Sequence, residues 1–211
     1  ALLALANKTI TTYKSLQLMA LVSEAIYQTA TGEILEIQRM RQPELTQEQY
    51  LEIIVGKTAF LIQTCCQCGA IWSGASAKLL DQAKSFGLNL GIAFQLVDDA
   101  LDYAAQESRT GKPLGGDLRE GKLTLPLIFF LQGLKEQDKL AVLDKIKDRR
   151  LSPKEHQWIM SEIQSRNLAE KTRDEADSYL GRAADALSQF PETEYRDLLE
   201  QTITFIRNRT H

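Results

Sequence analysis

Apolar residues recur along this chain at intervals of three and four, the spacing of one face of a helix, and no stretch shows convincing strand alternation. Residues 12–40 carry Leu16, Met19, Ala20, Ile26, Ala30, Ile34 and Ile37 at such intervals, until Pro43 interrupts the pattern. Thr46 and Gln49 then form a capping-box signature: the hydroxyl can accept from the N3 amide while the Gln side chain reaches back. A long helix over 47–72 is expected to follow, then another over 77–105. The next helical pattern begins at 124–132, and Ser152-Pro153-Lys154-Glu155 is a helix start, with Ser at the cap and Pro at the first position. Pro191 separates the last two helices. Long helices joined by short connections predict an all-α, antiparallel bundle. No repeat, low-complexity tract or second domain is visible, so residues 1–211 read as one helical domain.

Within the 77–105 pattern, FQLVDDALDY (94–103) sets three carboxylates and an amide in an apolar run. On a helix Asp98 and Asp102 share a face, with Gln95 one turn earlier, whereas Asp99 projects about 100 degrees away from Asp98. Acids held this close repel one another unless a cation lies between them, and a hard divalent ion such as Mg²⁺ suits oxygen ligands of this kind. A bare DDxxD fits a charged, solvated helix face at least as well. The Phe, Leu, Val and Ala neighbours weigh against that reading, and so does the segment that follows.

That segment is GKPLGGDLREGKLTLP (111–126). Its four glycines, two prolines and two Gly-Lys pairs predict a loop rather than a helix interior. Glycine permits close backbone approach, and lysine offers a compact positive charge suited to a phosphate oxygen. An ordinary surface loop would explain the glycines but not two Gly-Lys pairs directly after an acidic helix. The P-loop pattern is absent.

FQLVDDALDY followed by GKPLGGDLREGKLTLP resembles the second aspartate-rich region of the trans-isoprenyl (polyprenyl) diphosphate synthases. Gly32-Glu33 is similar to that family's glycine-acidic pair, Lys57-Thr58-Ala59 to its Lys-Thr motif, and the tail Phe205-Ile206-Arg207-Asn208-Arg209 to its basic C-terminus. The resemblance runs along essentially the whole chain, and residues 32–74 look most like the long-chain members. One departure is large. The family's first aspartate-rich motif has no counterpart here, so the chain is expected to be a C-terminal portion, an N-terminally incomplete domain; a naturally shortened subunit is the other reading.

The resemblance implies an isoprenoid-synthase bundle with a central cavity, and a prenyl transfer between isopentenyl diphosphate and an allylic diphosphate. Asp98 and Asp102 would hold Mg²⁺, with Asp99 as a further ligand or a supporting group. Lys57 and Lys112 would contact diphosphate oxygens. Lys122 is a third candidate, although its setting also suits ordering the loop, and Asp117 could support the site. Thr58 and Gln95 would lie close to the reacting carbons, where their dipoles stabilise positive charge without capturing it, and Phe94 would help exclude water. Apart from the resemblance, Lys57 reads rather as a snorkelling surface lysine. Glu33 could orient a lysine or water, or be an ordinary charged residue. The family implies a homodimer, with a heteromer as the variant case. A non-catalytic or regulatory subunit that partners another prenyl synthase is the alternative function.

Composition changes this picture little. The chain has 211 residues, 44% hydrophobic and 25% charged, with a net charge of -3, which argues against a broad nucleic-acid surface. No unbroken apolar run of about 18 residues predicts a transmembrane segment. Cys65, Cys66 and Cys68 are too closely spaced for mutual disulfides and have no nearby histidine, so they read as small buried side chains in a reducing compartment. A cytoplasmic location is expected, with organellar targeting left open.

Overall fold

The computed structural model describes residues 2–40, 45–104 and 114–210, and every regular element among them is helical. Helix α1 spans Leu2–Thr12 and α2 spans Leu16–Arg39. The pattern over 12–40 is therefore shortened at its start: the Ser15 side chain accepts from the Leu18 amide and begins α2 afresh. Next comes a continuous rod made of α3 (Gln47–Ile54), a π-helical turn (Val55–Ala59) and α4 (Phe60–Trp72). The Thr46–Gln49 capping box is formed as its residues predict.

Helix α5 (Ala77–Leu101) is the central element and stops short of residue 105. The short α6 (Gly116–Glu120) lies in the segment expected to be a loop. Asp102 explains it: both carboxylate oxygens accept from backbone amides, Gly116 and Asp117 at 2.9 Å each, and so satisfy the first turn of α6 from fourteen and fifteen residues away. Helices α7 (Leu125–Gln132), α8 (Glu136–Lys147), α9 (Pro153–Ser165), α10 (Leu168–Leu187) and α11 (Glu194–Arg207) complete the chain. Ser152 and Glu155 close the second capping box.

Two apolar clusters hold the bundle. One joins Tyr50 and Ile54 to Leu96, Val97, Leu125, Leu180, Ile203 and Ile206; the other gathers Tyr103, Leu118, Leu127, Phe130, Leu143 and Ile159. Close backbone approaches set the register of the central helices. A Cβ on Gly32 would lie 2.4 Å from the Lys57 nitrogen and 2.8 Å from the Gly56 carbonyl carbon, so α2 meets the π turn backbone to backbone. A Cβ on Gly91 would lie 2.6 Å from the Ala59 Cα, which brings α5 equally close to the same turn. Pinned on both sides, the extra residue of the π turn re-aims Lys57 and Thr58.

The rod over Gln47–Trp72 is long and apolar enough to cross a membrane by length and composition; 39% of its apolar stretch is buried, where it packs against α2 and α5. The cysteines depart from the expectation of three buried thiols: Cys65 is exposed, and Cys66 and Cys68 are half-buried. Burial, reinforced by Cys65, pushes the Cys66 thiol up to about 11, so it is not a reactive thiolate.

Candidate active site

The buried end of the site is a hydrogen-bonded relay across three elements. Asp99, at 4% exposure, faces the interior of the bundle. Its Oδ2 accepts from the Tyr50 hydroxyl at 2.5 Å and its Oδ1 from Gln95 Nε2 at 2.7 Å. Gln95 Oε1 in turn accepts from Thr58 Oγ1 at 2.9 Å. Burial drives the Asp99 carboxyl up to about 7, although the bonds from Tyr50 and Gln95 oppose the shift. Burial and the Asp99 charge hold the Tyr50 phenol well above its usual range.

Lys57 leaves the π turn toward α2, where its Nζ lies 2.7 Å from Glu36 Oε1, with both side chains mostly buried. Lys57, Glu36, Tyr50, Asp99 and Thr124 share the wall of a cavity of about 20 Å³, room for roughly one water. Glu33 is exposed, and Glu36, one turn further on, is the acid that meets Lys57.

The outer end is wetter. The Asp98 side chain is 49% exposed and its Oδ1 lies 3.1 Å from Arg209 Nη1. The Arg209 guanidinium also lies over the Phe94 ring, 5.3 Å from its centroid. Asp102 caps α6 as described. Lys122 bridges Asp117 at 3.3 Å and Glu120 at 2.7 Å. Burial works against the Lys122 charge, but Glu120 and Asp117 outweigh it and raise its pKa above the usual lysine value. Burial and the Asp102 charge raise Asp117 in its turn.

The sequence-predicted residues therefore fall into two groups. Thr58, Gln95 and Asp99 meet directly, with Lys57 alongside. Asp98 and Asp102 follow on the outer face of α5, and Lys122 lies beyond Asp102 across α6. Lys112 lies outside the described residues. Among the described residues, no group of three acids, histidines or cysteines converges as a preformed metal cluster. Asp98 and Asp102 keep hard carboxylate oxygens one turn apart near the surface and fit a divalent ion. Donors occupy both oxygens of Asp99 and of Asp102 alike; Asp99 fits the ion less well because it is also buried in the bundle interior.

Glu36 and the bonding role of Tyr50 were not singled out from sequence. Tyr50 sits seven residues before Lys57, the two-turn spacing of one helix face, and that was the available signal. Nothing local connects Glu36 to Lys57.

An all-helical bundle with this acid-bearing central helix defines the isoprenoid-synthase class, and the likeness to known proteins is specific. Residues 1–163 match the polyprenyl synthetase family. The chain is 33% identical over 192 residues to octaprenyl diphosphate synthase of Escherichia coli, covering 90% of this chain and 58% of that protein. It is 34% identical over 191 residues to heptaprenyl diphosphate synthase component 2 of Bacillus subtilis, covering 90% and 53%. Among solved structures, a decaprenyl diphosphate synthase from Rhodobacter capsulatus superposes with a TM-score of 0.89 at 28% identity, covering 97% of this chain and 63% of that one. A polyprenyl synthase from Caulobacter crescentus, complexed with calcium and isoprenyl diphosphate, gives 0.88 at 32% identity, covering 97% and 62%. The chain belongs to the polyprenyl synthetase family. It spans less than two thirds of the length of these relatives.

Proposed function

We propose that this chain carries the diphosphate-leaving half of a prenyltransferase site, and that the protein condenses isopentenyl diphosphate with an allylic diphosphate to make a long-chain polyprenyl diphosphate. The observation that carries this reading is the grouping on one bundle end of Lys57, the Thr58–Gln95–Asp99 relay and the Asp98/Asp102 face. In the reaction the allylic C–O bond breaks and its electron pair leaves with diphosphate. The double bond of isopentenyl diphosphate then attacks the electron-deficient carbon, and a proton is lost.

Each residue has a part that follows from its chemistry. Lys57, Lys112 and Lys122 bind diphosphate oxygens, and Lys57 exchanges Glu36 for substrate. Asp98 and Asp102 would hold Mg²⁺, which when bound neutralises the charge growing on the leaving diphosphate. Thr58 and Gln95 turn oxygen lone pairs toward the developing cation. Phe94 and its apolar neighbours keep water from it. The departing diphosphate takes the last proton, since among the described residues no histidine adjoins the relay.

The partners follow the family. A homodimer is supported by α1, which buries no residue and exposes Leu2, Leu3 and Leu5, and by Leu16, Tyr27, Ile34 and Ile37 exposed on α2. A regulatory subunit is the second reading; the name of the component 2 relative points to an enzyme made of more than one chain, not to a non-catalytic role. The test is turnover of the purified protein with Mg²⁺ and the two diphosphates. A long-chain polyprenyl diphosphate supports the first reading. Product formed only after a second, different chain is added supports the other.

A further inference from the structure

We propose that Tyr50 is a positioning residue: acting through Asp99, it fixes which end of the Gln95 amide faces Thr58 and the reacting carbons. This rests on the prenyl-transfer reading and adds to it a residue that touches no substrate.

The hydrogen bonds all have a direction. Tyr50 has one hydroxyl proton and gives it to Asp99 Oδ2 at 2.5 Å. Gln95 Nε2 gives a proton to Asp99 Oδ1 at 2.7 Å. In its ionised form Asp99 thus accepts from two sides, and the two donors fix its plane. An amide that donates to Asp99 must turn its carbonyl the other way, and Oε1 does face Thr58, accepting from Oγ1 at 2.9 Å. With its proton committed to Gln95, the Thr58 oxygen has only lone pairs left to offer. Both groups therefore present the negative ends of their dipoles to the space beside them. That polarity stabilises a cation, and the reversed amide would present N–H bonds and destabilise it.

Tyr50 is built to hold the far end of this relay. It is 3% exposed, in the first turn of α3. That turn is locked by the Thr46–Gln49 capping box and by Arg39, whose Nη1 donates to the Gln49 carbonyl at 3.0 Å. Asp99 can rotate about its own side-chain bonds, and the Tyr50 hydroxyl is the donor that opposes this on the side away from Gln95. Without that hydroxyl the carboxylate is free to turn, and Gln95 loses the partner that sets its orientation.

The experiment separates charge from shape. 2-(Dimethylamino)ethyl diphosphate, protonated at nitrogen, carries a positive charge where the tertiary allylic carbon would lie. Isopentyl diphosphate has nearly the same shape and no such charge. Binding of each is measured by titration calorimetry with Mg²⁺ in the protein and in Tyr50→Phe. The parent should prefer the cationic compound, and Tyr50→Phe should lose about tenfold of that preference while binding isopentyl diphosphate as before. In turnover, kcat should fall with KM for both substrates kept within about twofold, since remote positioning acts on the transition state. Equal weakening of both compounds, or an unchanged preference, overturns the proposal. Failure of the parent to bind either compound overturns the prenyl-transfer reading instead. If Tyr50→Phe does not fold, Asp99→Asn, nearly identical in volume, carries the same comparison, and an undiminished preference there overturns the relay.

Discussion

Asp98 and Asp99 are neighbours in sequence and opposites in structure. Asp99 is locked inside by Tyr50 and Gln95, on a helix that Gly91 brings into backbone contact with the π turn. Asp98 faces outward and shares its charge with Arg209, beside Asp102 and the Lys122 ion pairs. The inner half of the site is held by packing and by bonds among buried side chains, which are costly to break. Apart from Asp102, whose oxygens cap α6, the outer half is held by partly exposed pairs worth about 0–1 kcal/mol each. Such pairs exchange readily, so an incoming metal ion or diphosphate can replace them without disturbing the fold. One helix thus offers a fixed wall and an exchangeable mouth.

The contrast breaks if substitutions in the two halves behave alike. The largest effect is expected for Asp98→Ala: turnover should fall about a hundredfold or more, while the urea midpoint hardly moves, because the side chain is half exposed. Unfolding or near-normal activity would each remove Asp98 from the metal site.

The next effect comes from the inner acid. Folded, Asp99 keeps its proton up to about pH 7; unfolded, it releases it near the ordinary value of 3.8. Between those values the folded chain binds more protons, so stability falls as pH rises through the window and levels off above it. Thermal melts across that range should show the decline, and Asp99→Asn should flatten it.

Gly91→Ala should destabilise by about 1–3 kcal/mol in urea unfolding, because the new methyl would sit 2.6 Å from the Ala59 Cα. Gly181 offers the control: it is also within a helix, with nothing within 4 Å of a Cβ, so Gly181→Ala should stabilise by about 0.5–1 kcal/mol. The smallest effect belongs to the mouth. Lys122→Ala should change stability by less than about 1 kcal/mol, its pairs with Asp117 and Glu120 being partly exposed, and should appear mainly as a higher KM for diphosphate substrates.

What the sequence revealed was what local chemistry decides. The Thr46–Gln49 capping box and the helix start at Ser152-Pro153 formed as predicted, and Glu155 adds a second box there, since each depends on residues at most three apart. The acid run and Gln95 were visible as polar residues out of place in an apolar helix, whereas the Lys-Thr pair stood out only through the family resemblance. Three features were not legible because distant contacts create them. Helix α6 forms amid glycines because Asp102 supplies acceptors from the end of α5. The π turn sits between Gly32 on one side and Gly91 on the other. The orientation of Asp99 depends on a tyrosine 49 residues away. Helical spacing indicated that Asp98 and Asp99 point different ways, but not which of the two is buried.

The most direct test is a crystal structure of the protein with Mn²⁺ and diphosphate, with the metal located by its anomalous signal. The expected peak lies against the Asp98 and Asp102 carboxylates, with Arg209 released from Asp98, Lys57 turned from Glu36 toward diphosphate, and the Tyr50–Asp99–Gln95 bonds unchanged. A metal bound elsewhere, or one that draws Asp99 away from Tyr50 while Asp98 stays paired with Arg209, would contradict the account.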